Sequence, residues 1–217
     1  MMDRAENRNT RCVIVGGAPI GNYADVKKYI KDDDYIIFCD CGLAHMDSLG
    51  VASSLVVGDF DSHEAPEGDF EVIKLPTQKD DTDTVYAAKE AIRRGFCNFL
   101  LIGMVGGTMD HTLANVSILM YMDALGKRAV LVDDYSEMEV ISTAVSYIDD
   151  GFEYFSVLSP NGTASGINIS DAKYTLEDGA INIKYQYGVR NEPLPGKIAR
   201  VSVEEGCLLV VKIRKAK

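Results

Sequence analysis

The sequence lacks any stretch that approaches the roughly 20 consecutive apolar residues of a membrane-spanning helix. Its first residues, Met1 to Arg11, are polar and mixed in charge, and they contain no apolar core of a signal peptide. These two absences argue against membrane insertion and against secretion. We therefore expect a cytoplasmic protein with no membrane partner.

Basic residues are too few for a protein that coats nucleic acid. The chain has 22 Lys and Arg against 33 Asp and Glu, which gives a formal net charge of -11. Proteins that bind duplexes need a basic stripe to displace counterions from the phosphates, so we expect no nucleic-acid partner. The acidic excess suits metal cations, but solubility alone explains it equally well.

The cysteines lack the pairing that a zinc site or a disulfide framework would need. There are five, and Cys39-x-Cys41 has no second Cys or His pair to complete a zinc site. The other three, Cys12, Cys97 and Cys207, lie in or beside apolar runs, and so does Cys39, as is typical of buried free thiols.

Continuous apolar runs alternate with helical patterns over residues 12–132. A continuous run is typical of a strand buried on both faces, and strand–helix alternation indicates an α/β domain with a mostly parallel sheet. The expected strands are 12–15, 35–38, 54–57, 99–102 and 129–132, and the expected helices are 22–31, 42–49, 82–94 and 110–125.

After about residue 140 the pattern changes to short strands separated by turn signals. Residues 180–187 alternate strictly between apolar and polar, and 154–158, 200–203 and 207–213 also read as strands. This pattern predicts an all-β C-terminal sandwich domain, so we expect domains at 12–140 and 145–215. Tyr174, Tyr185 and Tyr187 are expected in the core of the sandwich, with stacking on a ligand ring as the alternative.

Glycine or aspartate follows the expected strands of the α/β half. Ligands of an open parallel sheet bind at the carboxyl ends of its strands, so these residues should meet at one edge. Gly16-Gly17 follows the first strand, and glycine lets backbone amides approach phosphate oxygens closely. Tight turns also require glycine, and neither a Walker motif nor G-x-G-x-x-G follows the first strand.

Aspartates are the second group at this edge. Asp59 and Asp61 follow the third strand two residues apart, so on a strand end both would point the same way and share a hard cation. Asp80, Asp81 and Asp83 lie about the start of one helix, and Asp110 stands at the start of another. For each of these, helix capping is an alternative role. Taken as a set, the aspartates predict a magnesium site.

A site that holds phosphate groups beside these carboxylates also needs groups that neutralise phosphate charge. Lys79 is the nearest basic residue, with a solvated surface charge as its alternative role. His111 could polarise a phosphate or orient Asp110. A hydrogen-bonded structural histidine explains His111 about as well.

These residues together resemble the thiamine pyrophosphokinase family over nearly the whole chain. Each motif is short, and their order and spacing are together quite specific. The motifs are Asp40-x-Gly42, Gly58-Asp-Phe-Asp-Ser62, Lys79-Asp-x-Thr-Asp83, Gly106-Gly-x-x-Asp-His-x-Leu-Ala-Asn115 and Gly188-x-x-Asn-Glu192.

The resemblance implies that the protein transfers diphosphate from ATP to the hydroxyl of thiamine, giving thiamine diphosphate and AMP. It implies an ATP-binding α/β domain, a thiamine-binding β-sandwich and a homodimer with thiamine near the subunit interface. It also implies Asp59, Asp61, Asp80, Asp83 and Asp110 as catalytic carboxylates, with Mg²⁺ held by Asp59, Asp61 and Asp83. The expected substrate-binding residues are Gly16, Gly17, Asp40, Gly42, Lys79, Thr82, Gly106, Gly107, His111, Asn115, Arg190 and Asn191.

Two positions depart from the family pattern. Thr108 stands where the family usually has Arg, and Arg190 stands where it usually has Ser. Loss of an Arg removes a bidentate phosphate donor, whereas an Arg near the thiazolium places like charges together. The alternatives are therefore a diphosphokinase for another hydroxymethyl heterocycle, such as a pterin alcohol, or a non-catalytic sensor of nucleotide or thiamine.

Overall fold

The structure, a computed structural model, describes residues 10–61, 64–78 and 80–215. The chain divides into two compact units between Asp134 and Tyr135. The strand Ser136–Ile141 therefore belongs to the second unit, whereas the domain limits expected from the sequence place it in the first.

In the described part of the first unit, six strands run parallel in the spatial order β4-β3-β2-β1-β5-β6. Because the central strands are buried on both faces, their sequences are continuously apolar, as predicted. The order changes direction between β1 and β5, where open sheets of this kind bind ligands. The strands are β1 (Arg11–Val15), β2 (Tyr35–Cys39), β3 (Leu55–Gly58), β4 (Glu71–Lys74), β5 (Asn98–Ile102) and β6 (Arg128–Val132).

The helices of the first unit are α1 (Tyr23–Lys27), α2 (Met46–Leu49), α3 (Asp83–Arg93) and α4 (Met109–Ala124), and a 3₁₀ turn spans Asp40–His45. The first predicted helix, 22–31, is much shorter than expected. After α1 the backbone forms isolated turns, in which an amide donates to the carbonyl three residues earlier. The predicted helix 42–49 is the 3₁₀ turn followed by α2. Among the described residues, no helix is both long enough and apolar enough to cross a membrane.

In the second unit, the described residues form antiparallel strands with the spatial orders β7-β13-β9 and β11-β10-β12-β8. One apolar cluster includes Phe155 and Val157 from the first set of strands and Ile167 and Val201 from the second. The strands are β7 (Ser136–Ile141), β8 (Ser146–Ile148), β9 (Phe152–Leu158), β10 (Thr163–Ser170), β11 (Leu176–Asn182), β12 (Ala199–Ser202) and β13 (Leu208–Arg214).

The prediction of one strand over 180–187 is wrong, because β11 ends at Asn182. The Asn182 carbonyl accepts from the Tyr185 amide at 2.8 Å, and the Asn182 side chain accepts from the Lys184 amide at 2.9 Å. These local bonds turn the chain away from the sheet. Tyr185 and Tyr187 are consequently exposed, as is Tyr174, so none of the three is in the core.

The core of the second unit should depend strongly on Phe155, whose side chain is fully buried in the apolar cluster. Replacing Phe155 with Ala should lower the free energy of unfolding by about 3–5 kcal/mol, because it removes apolar burial and leaves a cavity. Urea unfolding measures the change. Tyr147→Ala is the control, because Tyr147 is 58% exposed, and it should change stability by less than about 0.5 kcal/mol. Equal losses in the two variants would contradict the assignment of this core.

Candidate active site

A pocket of about 250 Å³ lies at the carboxyl ends of the parallel strands. Its walls come from the segments that follow β1, β2 and β5 and from the first turns of α3 and α4. It therefore lies where the strand order changes direction. The residues expected from the sequence that line it are Gly17, Thr82, Asp83, Gly106, Gly107, His111 and Asn115.

Three carboxylates form a compact group next to this pocket. Within the described part of the chain, Asp40, Asp59 and Asp61 each offer an oxygen within 4.8 Å of the others. Carboxylates this close repel one another unless a cation or a proton compensates them, and oxygen ligands are those that Mg²⁺ prefers. The donor set thus fits a hard divalent cation. It contains Asp40, which the sequence did not place at the metal, in place of Asp83.

The geometric reason for the proximity of Asp59 and Asp61 differs from the predicted one. The strand β3 ends at Gly58, and Phe60 has a φ of 51°, in the left-handed region. A turn therefore brings the two acids together, with the Asp61 amide 3.4 Å from an Asp59 carboxylate oxygen. The left-handed backbone costs roughly 1–2 kcal/mol. Burial of the Phe60 ring in the core of the first unit contributes about 1.5–3 kcal/mol and offsets it.

Gly58 allows the third member of the group to approach. A Cβ on Gly58 would lie 2.6 Å from the Asp40 Cβ and 3.2 Å from the Asp40 Cα. Real Cβ atoms do not approach this closely, so a side chain at position 58 would displace Asp40. Gly42 allows a different close approach, to the end of β1, because a Cβ there would lie 2.3 Å from the Val15 carbonyl oxygen.

A polar network connects the start of α3 to α4. Thr82 caps α3 by accepting from the Val85 amide at 3.3 Å, so the cap is Thr82 and not one of the aspartates. The Thr82 and Thr84 hydroxyls are 3.0 Å apart, and the Thr84 hydroxyl donates to the side-chain amide oxygen of Asn115 at 2.8 Å. Asn115 is buried and donates to the Met104 carbonyl at 2.9 Å. This network fixes three walls of the pocket relative to one another.

The other residues predicted near α3 are only partly brought into the site. Asp83 lines the pocket, while Asp80 is exposed. Lys79 lies outside the described residues, and so does Ser62 of the Gly58–Ser62 motif. Asp81 pairs with Lys89 on α3, with 2.7 Å between the charged groups.

The glycine turn after β5 is fixed to the first turn of α4. Gly106 and Gly107 have φ angles of 112° and 69°, a region open to glycine. The Gly106 amide donates to the Thr112 hydroxyl at 3.1 Å. The pocket is therefore bounded here by backbone with little side-chain bulk, which suits a ligand that approaches closely.

Asp110 is exposed at the start of α4, where its carboxylate accepts hydrogen bonds from residues at the start of the same helix. Its carboxylate accepts from the Thr108 hydroxyl and from the His111 amide, the latter at 2.9 Å, and these bonds lower the pKa of Asp110. Thr108 thus contacts an acidic residue at the position where the family pattern has Arg. Both Thr108 and His111 line the pocket.

The cysteines beside the acid group are free, protonated thiols. Cys39 is buried and Cys41 is exposed, and both line the pocket. Desolvation raises the pKa of the Cys41 thiol, and the negative charges of Asp40, Asp83, Asp61 and Asp59 raise it further. A thiolate is the form that ligates zinc, so these thiols do not suit a zinc site.

Sequence reasoning missed one group behind the pocket. His45 is buried at the end of the 3₁₀ turn, with its Nδ1 atom 2.7 Å from the Tyr23 hydroxyl and its Nε2 atom 3.1 Å from the Ala18 carbonyl oxygen. A single histidine with partners 22 and 27 residues away has no local sequence signal. Only the strand-end rule, applied to the turn after β2, points toward it.

Arg190 and Asn191 lie in the second unit, beside β9. Arg190 has a φ of 61°, and its guanidinium carbon is 4.0 Å from the centre of the Tyr154 ring. The segment pairs with β9 through the Gly188 carbonyl and through both backbone groups of Asn191. Between these bonds, Val189 and Arg190 stand opposite the single β9 residue Ser156, so Arg190 occupies a bulge.

Asn191 is buried, and its side-chain amide forms hydrogen bonds with the backbone of Tyr174. It accepts from the Tyr174 amide at 3.0 Å and donates to the Tyr174 carbonyl at 2.7 Å. It therefore ties the Tyr174 segment to β9. The predicted substrate contact of Asn191 stays a prediction.

The residues that form this site are similar in sequence to a family of known proteins. Residues 26–131 match the family "Thiamin pyrophosphokinase, catalytic domain". This stretch runs from α1 to β6 and contains the acid group and most of the pocket. Over these residues, the chain is similar to the catalytic domain of thiamine pyrophosphokinases.

Relatives named for this family share the fold over nearly the whole chain. A thiamine pyrophosphokinase of Bacillus subtilis is 22% identical over 207 residues, covering 92% of this chain and 96% of the relative. A crystal structure of the B. subtilis enzyme superposes with a TM-score of 0.84 at 21% identity, covering 95% of this chain and 100% of that one. The thiamin pyrophosphokinase of Geobacillus thermodenitrificans gives 0.82 at 24% identity, covering 96% and 99%.

The acid group should depend on the absence of a side chain at Gly58. Gly58→Ala should weaken binding of a divalent cation by at least about tenfold, because the added methyl group displaces Asp40. Electron paramagnetic resonance with Mn²⁺ measures the affinity. Gly126→Ala is the control, since it places alanine at a φ of 65° with no atom within 4 Å of the new Cβ. Unchanged Mn²⁺ affinity in Gly58→Ala would show that Asp40 does not ligate the cation.

Proposed function

We propose that this protein transfers the diphosphate group of ATP to the hydroxyl of thiamine, forming thiamine diphosphate and AMP. The observation that carries the proposal is the acid group beside a glycine-bounded pocket at the strand ends. The acid group and most of the pocket lie inside the residues that match the thiamine pyrophosphokinase catalytic domain. The relatives that match nearly the whole chain carry the same name.

ATP would bind in the pocket of the first unit. Residues 17–19 and 106–108 supply a backbone with few side-chain atoms, which suits phosphate oxygens. The Thr82–Thr84–Asn115 network holds the opposite wall. Lys79 would add positive charge against the phosphates, and His111 would contact them from the first turn of α4.

The acid group fits Mg²⁺, with Asp40, Asp59 and Asp61 as the residues that would hold it and Asp83 beside them. A bound magnesium ion neutralises charge on phosphate oxygens during phosphoryl transfer. Without compensation, carboxylates would repel a polyphosphate, so this acidic pocket suits ATP only together with a cation.

In the reaction, the thiamine hydroxyl oxygen forms a bond to the β-phosphorus of ATP. The bond between this phosphorus and the oxygen that bridges to the α-phosphate breaks, and AMP leaves with that oxygen. The hydroxyl proton passes to a carboxylate, for which Asp80, Asp83 and Asp110 are the candidates. Positioning and charge neutralisation should account for most of the acceleration.

Thiamine would bind through the second unit, in the segment that contains Arg190 and Asn191. Asn191 shapes this segment by tying it to Tyr174. The Arg190 guanidinium lies over the Tyr154 ring. The ring draws the positive charge toward its face, which reduces the conflict with a thiazolium cation.

We further propose a homodimer. Large apolar side chains recur at alternate positions of residues 183–189 and are exposed: Ile183, Tyr185, Tyr187 and Val189. The rings of Tyr185 and Tyr187 pack against each other with centroids 5.7 Å apart. Exposed apolar clusters of this kind mark protein interfaces or ligand sites, and a second copy of the chain would cover this one.

The activity should depend on the acid group. Purified protein with ATP, Mg²⁺ and thiamine should release AMP and thiamine diphosphate. Asp61→Asn should lower turnover by at least about a hundredfold with little change in stability, because it removes one of the carboxylates that would hold the charge-neutralising cation. AMP release and thermal unfolding measure the two quantities.

The matched control is Asp81→Asn, which makes the same charge change at a carboxylate that pairs with Lys89. It should retain most activity, since exposed ion pairs contribute little. A panel of acceptors that includes a pterin alcohol tests the substrate. Preference for another acceptor, or ATP binding with no turnover, would overturn the proposal.

The homodimer should dissociate when charge enters the exposed tyrosine cluster. Tyr185 is 72% exposed, so Tyr185→Glu should leave the fold intact, while burial of its charge in an interface would be costly. Size-exclusion chromatography with light scattering should show a dimer for the unchanged protein and a monomer for the variant. Tyr135→Glu, at another exposed tyrosine, is the control. A monomeric unchanged protein would rule out the dimer.

A further inference from the structure

His45 contacts the pocket wall from behind and lies outside the lining of the pocket. It is buried, and both of its ring nitrogens have partners. A buried histidine that only fills space does not require two directional bonds. The pair of bonds therefore indicates a ring held in one orientation.

The two partners determine where the proton lies. The Ala18 carbonyl can only accept, so Nε2 carries the hydrogen and donates across 3.1 Å. Nδ1 then carries no hydrogen in the neutral ring and accepts from the Tyr23 hydroxyl across 2.7 Å. Burial lowers the pKa of His45, which agrees with a neutral ring. Tyr23 thus orients the imidazole, and the imidazole holds the carbonyl.

Ala18 is the centre of the wall that follows β1, between Gly17 and Pro19, and all three line the pocket. Its amide donates to the Gly103 carbonyl at 2.8 Å, and its carbonyl accepts from His45. The backbone of Ala18 is therefore fixed on one side by the end of β5 and on the other by the 3₁₀ turn. If the His45 bond were removed, the Gly103 bond would be the one backbone hydrogen bond left to Ala18 among the described residues.

We propose that His45 is a positioning residue for the ATP-binding wall. Oriented by Tyr23, its neutral ring holds the Ala18 carbonyl so that Gly17–Pro19 keeps the shape that receives the nucleotide. This inference rests on the proposed use of the pocket for ATP. His45 touches neither substrate, and thiamine binding should not depend on it.

The test compares variants that remove one bond at a time. His45→Leu removes the bond to Ala18, and Tyr23→Phe removes only the hydroxyl that orients the ring. His45→Gln keeps an N–H donor and is the conservative variant. His45→Leu should raise the KM for ATP about tenfold, the size expected for one lost hydrogen bond. Tyr23→Phe should raise it less, and His45→Gln should restore most of the loss.

The specific readout is the ratio of effects on the two substrates, because a general loss of folding would not separate them. The KM for thiamine should change less than about twofold, as should kcat. Ser53→Ala is the control for stability, because it removes one buried hydrogen bond, to the Leu55 carbonyl, at the far end of β3. It should leave the KM for ATP unchanged, and thermal unfolding follows all four variants.

Calorimetry with ATP and Mg²⁺ separates failure of this inference from failure of the proposed function. If the unchanged protein binds no ATP, the proposed function is wrong and the inference is wrong with it. If the unchanged protein binds ATP and both Tyr23→Phe and His45→Gln bind it equally well, with His45→Leu either equal or unfolded, His45 is only structural. Equal rises in KM for both substrates would lead to the same conclusion.

Discussion

Repulsion among the carboxylates of Asp40, Asp59 and Asp61 must be overcome by the rest of the first unit, which holds them together. Carboxylate oxygens within 4.8 Å of one another separate unless the backbone holds them. The restraint comes from the core: β2 and β3 are buried, the Phe60 ring anchors the turn between two of the acids, and Gly58 gives Asp40 room to approach. Hydrophobic burial thus holds the negative charges close enough together to bind a cation.

The shape of the pocket is likewise fixed by the surrounding protein, here through hydrogen bonds of uncharged groups. Its walls are backbone turns whose shape depends on bonds made outside the cavity: Thr112 to Gly106, Asn115 to Met104, and His45 to Ala18. Because each of these side chains uses its hydrogen-bonding capacity on protein atoms, the walls are set before a ligand arrives. Such preorganisation lowers the entropy cost of binding.

The sequence predicts the features that depend on local periodicity or on the position of a residue at the end of a strand. Continuous apolar runs located the five predicted parallel strands, and the rule that ligands bind at carboxyl ends led to Asp59, Asp61 and the glycine turns. Alternation misplaced residues 183–187, because the Asn182 turn depends on side-chain bonds that periodicity does not represent. His45 and the entry of Asp40 into the acid group depend on contacts between distant segments. The roles of Lys79, Asp80 and Asp110 stay predictions.

The pairing of Gly188–Asn191 with β9 has a consequence for solubility. β9 is the last strand of its sheet, and an unpaired strand edge can recruit other chains into aggregates. Here the segment occupies part of that edge, and the bulge at Arg190 interrupts its regularity. The stretch proposed to meet thiamine therefore also shields the sheet, so changes that retune acceptor choice by loosening this segment would favour self-association.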